Sequence, residues 1–487
     1  MGGCTAVALG FIAVEALVLN ARVRDYDEGV YWQSIRAMSR NEPLFRSVFA
    51  PQPPVFYATL LPFYWVGHSL ASLRLATLVL GVVGLGATYA VGRLLSGHAA
   101  GLVAVVLVAT SPLYLHQSAI VQADGPAVAI GMVAVALALA ALRAGGRLQD
   151  ALAVGAGLAF AFSVGTKLLG VVTVVPLALV FLGAQRGRGR LVAAAMVGGL
   201  VGLVIVALPA LASPGAAYDQ LVLSHLRAGQ TEGNLAGNLN TLFLHRNLPL
   251  ELLAAVGVVV AARFRDRAII MPLAWTTASV LAVLFYHPLF PHHLVMLSLT
   301  FALVAAVGLR NLWAPRFRSW LVAAALVLAT TTAGGVVAFR DVQLALTPDL
   351  HNAEMTAAVR SVSQPGEFWI SDNPFAVAAA DRDIPGSMVD ASGQRTRAGL
   401  LTVGDLEAAR VRYDIRWVLE DSFRLESVPG FHAWLDAHYH AVQQLGGRAV
   451  IYRAIASSSS NVAACPSRNA ASKAGASSCN RITARSS

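Results

Sequence analysis

Apolar stretches alternate with short polar stretches along most of this chain, at a spacing that predicts membrane-spanning helices. A helix needs about 20 apolar residues to cross the hydrocarbon core of a bilayer. Eleven runs approach or reach that length: 3–20, 73–91, 99–115, 124–142, 149–165, 168–184, 191–212, 247–262, 268–286, 290–309 and 319–339. The first run has no basic stretch before it and no cleavage site after small residues, so we interpret it as a retained helix.

The apolar stretch 54–70 is different, because it is short, contains Pro62 and is rich in aromatic residues. Aromatic side chains favour the membrane interface, so we predict a juxtamembrane helix here. With a cytoplasmic N-terminus, every tight arginine cluster between spans then lies inside, as the positive-inside rule requires. These arginines are Arg93, Arg143, Arg147, Arg186, Arg188, Arg190, Arg263, Arg265, Arg267, Arg310, Arg316 and Arg318. A span at 54–70 would place all of them outside.

The pattern changes after about residue 340. The helical stretches that we predict are Asp349–Val362, Val403–Arg412 and Gly430–His440, and the short strands are Glu367–Ser371, Ile415–Glu420 and Ala449–Arg453. Alternating strands and helices are typical of a small α/β domain. The sequence therefore predicts an all-α polytopic domain at 1–340 with an outer loop at 21–72, an extracytoplasmic α/β domain at 341–455, and a disordered Ser-rich tail at 456–487.

Composition supports a membrane protein over a soluble one. Hydrophobic residues make up 56% of the chain and charged residues only 13%, about half the usual share in soluble proteins. The net charge of +10 comes almost entirely from arginine, and the short arginine clusters between apolar runs indicate topology control and not a nucleic-acid surface. The three cysteines form no metal-type cluster.

Unusual polar residues gather at the outer ends of the predicted spans. Ionisable groups at membrane depth are costly and usually face a polar cavity. The residues are Asp25, Asp27, Glu28, Asp124, Lys167, His287, His292 and His293. Each also has an ordinary interpretation: the acidic residues as solvated loop charges, Asp124 as a helix cap, Lys167 as a snorkelling side chain, and the histidines as interfacial filling. Their shared face favours a functional site.

Such a set suits a lipid-linked anionic substrate. A carboxylate near the interface can act as general base toward a hydroxyl acceptor. A lysine or a protonated histidine can hold a phosphate leaving group. An apolar groove between helices, bordered by Gln52 and the aromatic helix after it, can hold a long lipid chain.

The sequence resembles the C-type superfamily of multi-spanning glycosyltransferases, most closely the branch of lipid A aminoarabinose transferases and protein O-mannosyltransferases. Asp27-Glu28-Gly-Val-Tyr31 is similar to the acidic-pair motif of their first outer loop, and Gln52-Pro-Pro stands where many relatives have Lys-Pro-Pro. Ala123-Asp124 matches the second-loop aspartate, and Gly165-Thr-Lys167 is similar to a Thr-Lys-Gly run. The segment from His287 to His293 resembles the loop where relatives carry an Arg-Tyr pair.

The resemblance implies an inverting hexosyl- or pentosyltransferase that uses a polyprenyl-phosphate sugar at the outer face, with a lipid, glycan or protein as acceptor. It implies Asp27 and Glu28 as catalytic residues. It implies substrate-binding roles for Tyr31, Gln52, Asp124, Lys167, His292 and His293. Because Ala50 and Pro51 offer no ligand, we predict no metal beside Gln52; no cofactor is required, and the sequence leaves open whether a divalent cation assists.

Two other functions remain open at this point. A transporter or flippase for lipid-linked glycans would also need outer charges and a lipid groove, but transporters bind near the midplane and often have repeated halves, which this chain lacks. A membrane-anchored binding protein that works through residues 345–455 would need far fewer spans. That domain has its own candidates, Asp372-Asn373-Pro374 and Asp390 with Arg395, for which ordinary turn chemistry is the first interpretation.

Overall fold

The structure is a computed structural model that describes residues 2–185, 187–231, 235–243, 247–313 and 319–455. Arg186, Arg316, Arg318 and the predicted tail 456–487 lie outside the described residues. The α-helices are α1 Gly2–Val18, α2 Tyr26–Ser39, α3 Pro54–Gly67, α4 Leu70–Ala109, α5 Pro112–Ser118, α6 Asp124–Ala141, α7 Gly146–Thr166, α8 Val174–Leu182, α9 Arg188–Leu211, α10 Pro214–Tyr218, α11 Ser224–Thr231, α12 Leu235–Phe243, α13 Leu248–Arg263, α14 Ile270–Leu284, α15 Val295–Gly308, α16 Ser319–Ala345, α17 Leu350–Val362, α18 Pro374–Ala379, α19 Gly393–Arg397, α20 Val403–Tyr413, α21 Phe423–Glu426 and α22 Phe431–His438. The strands are β1 Trp369–Ser371, β2 Trp417–Glu420, β3 Tyr439–Gln444 and β4 Val450–Ala454.

Ten of the eleven predicted spans coincide with a helical stretch, and the span 99–115 is wrong at its end, because α4 stops at Ala109 and Pro112 begins α5. Among the described residues, seven helical stretches are long and apolar enough to cross a membrane, and α1 and the stretch Leu168–Leu182 are shorter apolar helices. Leucine, valine, isoleucine and phenylalanine side chains on α9 and α16 are widely exposed, as lipid-facing helices require. The polytopic, mainly helical fold class with a small α/β domain is confirmed.

Helix α4 contains the predicted span 73–91 and the first part of the span 99–115, and it reverses direction between them. Ser96 and Gly97 have non-helical backbone angles, and Gly97 has a φ of +87°, which favours glycine. A Cβ atom on Gly92 would lie 2.9 Å from the Cα of Gly101, so the two legs pack backbone against backbone. The predicted inside loop at 92–98 is therefore a tight turn between two long helices.

The stretch predicted as a juxtamembrane helix is α3. Pro53 precedes it in an extended conformation and Pro54 occupies its first turn, where a missing backbone N–H costs nothing. Its aromatic residues Phe56 and Tyr57 pack against Tyr31 of α2, with ring centroids 4.7 and 6.0 Å from that ring. This contact fixes α3 beside the first outer loop.

The C-terminal part contains a four-stranded sheet in the order β1-β2-β4-β3, in which only the β1–β2 pair is parallel. Three of its strands coincide with predicted strands. The predicted helix Gly430–His440 is wrong at its end, because α22 stops at His438 and Tyr439 begins strand β3. The apolar side chains of Trp369, Val418 and Ile451 form the core of this sheet.

Helix α2 joins the two parts of the protein. On one face, Gln33 donates a hydrogen bond to the carbonyl of Arg382 and accepts one from the N–H of Ile384. Arg36 forms an ion pair with Asp383 at 2.9 Å. The opposite face carries Tyr31, which packs on α3. The position of the acidic residues at the start of α2 therefore depends on both the helical domain and the α/β domain.

Candidate active site

A cavity of about 760 Å³ lies between the helical domain and the α/β domain. Its wall combines residues from the loop 21–72, from the segment 286–293 before α15 (the histidine loop), and from the segments 390–397 and 422–427 of the α/β domain. Of the predicted site residues, the structure brings these to the cavity: Asp27, Tyr31, Gln52, Lys167, His292 and His293. Asp124 contacts this group through Lys167, and Glu28 lies elsewhere.

Asp27 occupies the first turn of α2 and faces the cavity. Asp25 caps the helix by accepting a hydrogen bond from the N–H of Asp27 at 3.0 Å, and Gln122 donates to Asp27 Oδ2 at 3.0 Å. Burial, and then the nearby carboxylates of Asp25 and Asp390, raise the pKa of Asp27 to about 8. A carboxyl group with such a pKa is a stronger base than an ordinary aspartate, which suits removal of a proton from a hydroxyl group.

Lys167 and Asp124 form a buried ion pair. The Nζ atom of Lys167 donates to Asp124 Oδ2 at 3.0 Å, and the two side chains are 6% and 3% exposed. Lys167 lies where α7 ends, in an extended conformation, so its ammonium group reaches the cavity wall. Asp124 begins α6, one residue past the loop that carries Gln122. Asp124 thus holds the ammonium group of Lys167 beside the cavity, where its remaining N–H groups are free of this contact.

The two histidines lie beside this ion pair, and their rings meet edge-on with centroids 4.4 Å apart. His293 is held by a hydrogen bond from the N–H of Phe290 to its Nδ1 atom at 3.1 Å, and its ring meets Tyr286 edge-on. The Nδ1 atom of His292 lies 3.9 Å from Asp25 Oδ2. The acidic start of α2 and the histidine loop are therefore neighbours in the cavity wall.

Glu28 does not reach the cavity. It is fully buried in an ion pair with Arg74, whose Nε and Nη2 atoms donate to its two carboxylate oxygens at 2.8 and 2.6 Å. Burial alone would raise the pKa of Glu28, but Arg74 and Arg24 hold it below its usual value. Glu28 also accepts a hydrogen bond from the N–H of Val121. Glu28 thus connects the start of α2 to the segment just before α6, and this contact places Asp27 beside Gln122.

Tyr31 and Gln52 line the inner side of the cavity. Tyr31 is almost completely buried in the aromatic group of α2 and α3, and Gln52 is 7% exposed. The side chain of Gln52 is a neutral amide, whereas the resemblance described above places a lysine at this position. The nearest lysine in the cavity wall is Lys167.

Several wall residues were not predicted as site residues. The sequence suggests only turn chemistry for Asp390, and it gives no indication of Arg397 or Arg424. All three line the cavity, and Arg424 lies over the ring of Tyr26 at 4.0 Å. Arg395 is a structural residue, because its guanidinium donates to the carbonyls of Asp390, Ser387 and Leu400. Arg74 does not line the cavity but pairs with Glu28. Of the residues that were not predicted, it is the one that the sequence could have indicated, as a lone charge at the start of an apolar run.

One group in this region has the composition of a metal site. Asp124, His292 and His293 each place a ligand atom within 4.8 Å of the other two. However, Asp124 already accepts from Lys167, and a divalent cation would have to displace that ammonium group or sit beside its charge. The donor set fits a cation only if Lys167 moves, so the geometry favours the ion pair.

Comparisons with known proteins identify the fold. Residues 51–212 match the family model for dolichyl-phosphate-mannose-protein mannosyltransferase. ArnT from Cupriavidus metallidurans, solved with undecaprenyl phosphate, is similar with a TM-score of 0.69 and 15% identity, over 93% of this chain and 99% of that chain. The archaeal oligosaccharyltransferase AglB from Archaeoglobus fulgidus, solved with an inhibitory peptide and a dolichol-phosphate, has a TM-score of 0.54 and 14% identity, over 91% of this chain and 74% of that chain. A search of curated proteins by sequence finds no match.

The chain is a multi-pass membrane protein with the fold of the C-type glycosyltransferase superfamily. The resemblance predicted from the sequence is thereby confirmed, and residues 51–212 are the part that matches the mannosyltransferase family model. At 15% identity the structural likeness defines the fold and not the substrate.

Proposed function

We propose that this protein is an integral membrane glycosyltransferase that moves a sugar from a polyprenyl-phosphate donor to a hydroxyl group of a lipid, glycan or protein acceptor. The observation that carries the proposal is the cavity itself, in which the raised-pKa carboxyl of Asp27 faces a wall that holds Lys167, His292 and His293. This arrangement puts a base and a phosphate-binding group in one space. We place the N-terminus in the cytoplasm and the α/β domain outside, as the arginine clusters indicate.

In the proposed reaction, Asp27 accepts the proton of the acceptor hydroxyl as its oxygen attacks the anomeric carbon. The bond from that carbon to the phosphate oxygen breaks, and the polyprenyl phosphate leaves with the bonding electrons. Lys167, with ring N–H groups of the histidines, stabilises the charge on the leaving phosphate. Attack opposite the leaving group inverts the anomeric centre, and a hexose or a pentose fits this scheme. The scheme requires no cofactor, and a divalent cation beside the leaving phosphate is compatible with it.

Glu28 and Arg74 have a positioning role in this proposal, and Glu28 does not touch the reacting atoms. Asp124 orients Lys167 through their 3.0 Å contact. Tyr31 and Gln52 shape the inner wall. A flippase for lipid-linked glycans is the alternative, and it gives no reason for a base with a raised pKa beside the leaving-group site.

The test is sugar transfer by the purified protein in proteoliposomes, with a panel of radiolabelled polyprenyl-phosphate hexoses and pentoses. A membrane extract serves as the source of acceptors. Label that moves from the lipid donor into an acceptor fraction, with free polyprenyl phosphate as the second product, is the expected result. A panel in which every donor stays intact would contradict the proposal.

Removing the ammonium group of Lys167 should weaken donor binding. We expect Lys167→Met to raise the KM for the donor by about 10- to 100-fold, since a hydrogen bond to a charged group contributes about 1.5–3 kcal/mol. The matched control is Lys473→Met, which changes the other lysine of the chain and should leave KM unchanged. An unchanged KM in Lys167→Met would remove this residue from the donor site.

The rate should also depend on pH. Because burial and neighbouring carboxylates raise the pKa of Asp27 to about 8, the carboxyl is mostly protonated at lower pH and cannot accept a proton. We therefore expect kcat/KM to rise with pH and to level off above about 8. A profile that is flat across about two pH units on either side of that value would argue against Asp27 as the base.

A further inference from the structure

A second group of metal-type ligands lies in the α/β domain, and its three residues are not among those that line the cavity. Glu420 ends strand β2, Glu426 ends helix α21, and His432 lies in the first turn of α22. Each places a ligand atom within 4.8 Å of the other two. The three residues come from consecutive elements, so the fold of this one segment is enough to bring them together.

The buried oxygen of Glu420 provides a second and independent observation. Glu420 is 5% exposed, and its Oε1 atom is buried with no hydrogen-bond partner. Its Oε2 atom accepts a hydrogen bond from the hydroxyl of Tyr452 at 3.1 Å, which fixes the orientation of the carboxylate. Burial of a carboxylate oxygen costs free energy unless a cation binds the oxygen or a donor forms a hydrogen bond to it.

The charges around the cluster also favour a cation. Glu420 and Glu426 supply two carboxylates, and the buried carboxylate of Asp372 lies nearby. Among the described residues, Arg448 forms an ion pair with Glu426. One guanidinium does not balance these carboxylates, and none of its nitrogens satisfies Oε1 of Glu420.

We propose that Glu420, Glu426 and His432 bind a divalent transition-metal cation, with zinc as the best match. An imidazole with two carboxylates is a ligand set of zinc or manganese, whereas calcium and magnesium prefer oxygen ligands alone. Three protein ligands leave a position for water, which His432 at the surface allows. Metal–ligand bonds of about 2.1 Å require the ligand atoms to approach to about 3.4 Å, a small closure for the exposed His432.

The metal site would stabilise one wall of the cavity. Between Glu420 and Glu426 the chain contributes Ser422, Phe423 and Arg424 to that wall. Arg448 connects the two places, because it pairs with Glu426 and lies over the Phe423 ring at 3.5 Å. A metal ion that joins both ends of this segment would hold the wall residues in place, and it would take no part in the transfer chemistry.

The experiment uses the full-length protein, purified, stripped of metal and then titrated with zinc chloride alone. Zinc content is measured by elemental analysis, and affinity by calorimetry. We expect Glu420→Gln and His432→Gln each to lose one zinc equivalent relative to the unchanged protein, with binding at this site weakened by at least about 10-fold. Comparison between variants isolates this site from any zinc bound at Asp124, His292 and His293.

The matched control is His440→Gln, which removes another exposed histidine of the same domain and should leave zinc binding unchanged. Since His432 is exposed, His432→Gln should fold normally, and zinc should raise the melting temperature of the unchanged protein but not of this variant. Equal zinc content and affinity in the two variants and the unchanged protein would overturn the proposal. The test needs no sugar transfer, so it stands or falls apart from the proposed function.

Discussion

Replacing Asp27 with asparagine is expected to lower the rate of sugar transfer by about 10²- to 10⁴-fold, the usual contribution of a positioned general base. The physical reason is specific to this position. Asparagine has nearly the same shape as aspartate and can still accept the hydrogen bond from Gln122, so the start of α2 should keep its structure. It cannot take up a proton from the acceptor. The loss should therefore appear in kcat, while donor KM and the melting temperature change little.

The measurement is steady-state transfer by purified Asp27→Asn with saturating donor. Asp150→Asn is the matched control, because Asp150 lies at the start of α7, where it pairs with Arg190 of α9, and it does not line the cavity. That control should retain full activity. If Asp27→Asn also retained it, Asp27 would not be the base.

Breaking the ion pair between Glu28 and Arg74 should have the largest effect on stability. Both side chains are fully buried, and Arg74 also donates to the backbone carbonyls of Ala21 and Arg22. Arg74→Met would leave the carboxylate of Glu28 buried and short of its main partner, which typically costs about 3–5 kcal/mol. We expect a strong fall in melting temperature and a loss of transfer, because the loop before α2 would lose its anchor.

A double replacement separates the charge from the packing. In Glu28→Gln with Arg74→Met, no buried carboxylate remains at position 28, and exchange of a buried ion pair for neutral groups is often close to neutral in stability. We expect the double variant to recover most of the melting temperature that Arg74→Met loses. A double variant less stable than Arg74→Met would show that the guanidinium acts through its backbone contacts and not through Glu28.

The sequence was sufficient to predict the helical framework and much of the cavity. Lys167 and Asp27 stood out because a charge beside an apolar run is rarely accidental, and the structure places both in the cavity wall. Their roles stay proposals. The periodicity of apolar residues determined the spans, since a lipid environment allows few alternatives to a helix.

Other features depended on contacts that no local pattern encodes. Asp390 and Arg424 reach the cavity only because α2 docks on the α/β domain, through residues more than 340 positions apart such as Gln33 and Arg382. Glu28 looked equivalent to Asp27 in the motif, yet helical geometry turns it by about 100° toward Arg74. The sequence predicts a helix that continues through Tyr439, because the preceding residues are helical. In the structure, pairing with β4 makes Tyr439 the first residue of a strand.

The most direct test of the proposed function asks whether the protein changes its lipid-linked substrate or only moves it. Sealed proteoliposomes would carry a radiolabelled polyprenyl-phosphate sugar, of the kind found active in the donor panel, in both leaflets, with a soluble hydroxyl acceptor added outside. The account predicts release of polyprenyl phosphate in equal amount with labelled acceptor, which stops when Asp27 is replaced by asparagine. Transbilayer movement of intact lipid-linked sugar, with no labelled product, would contradict it.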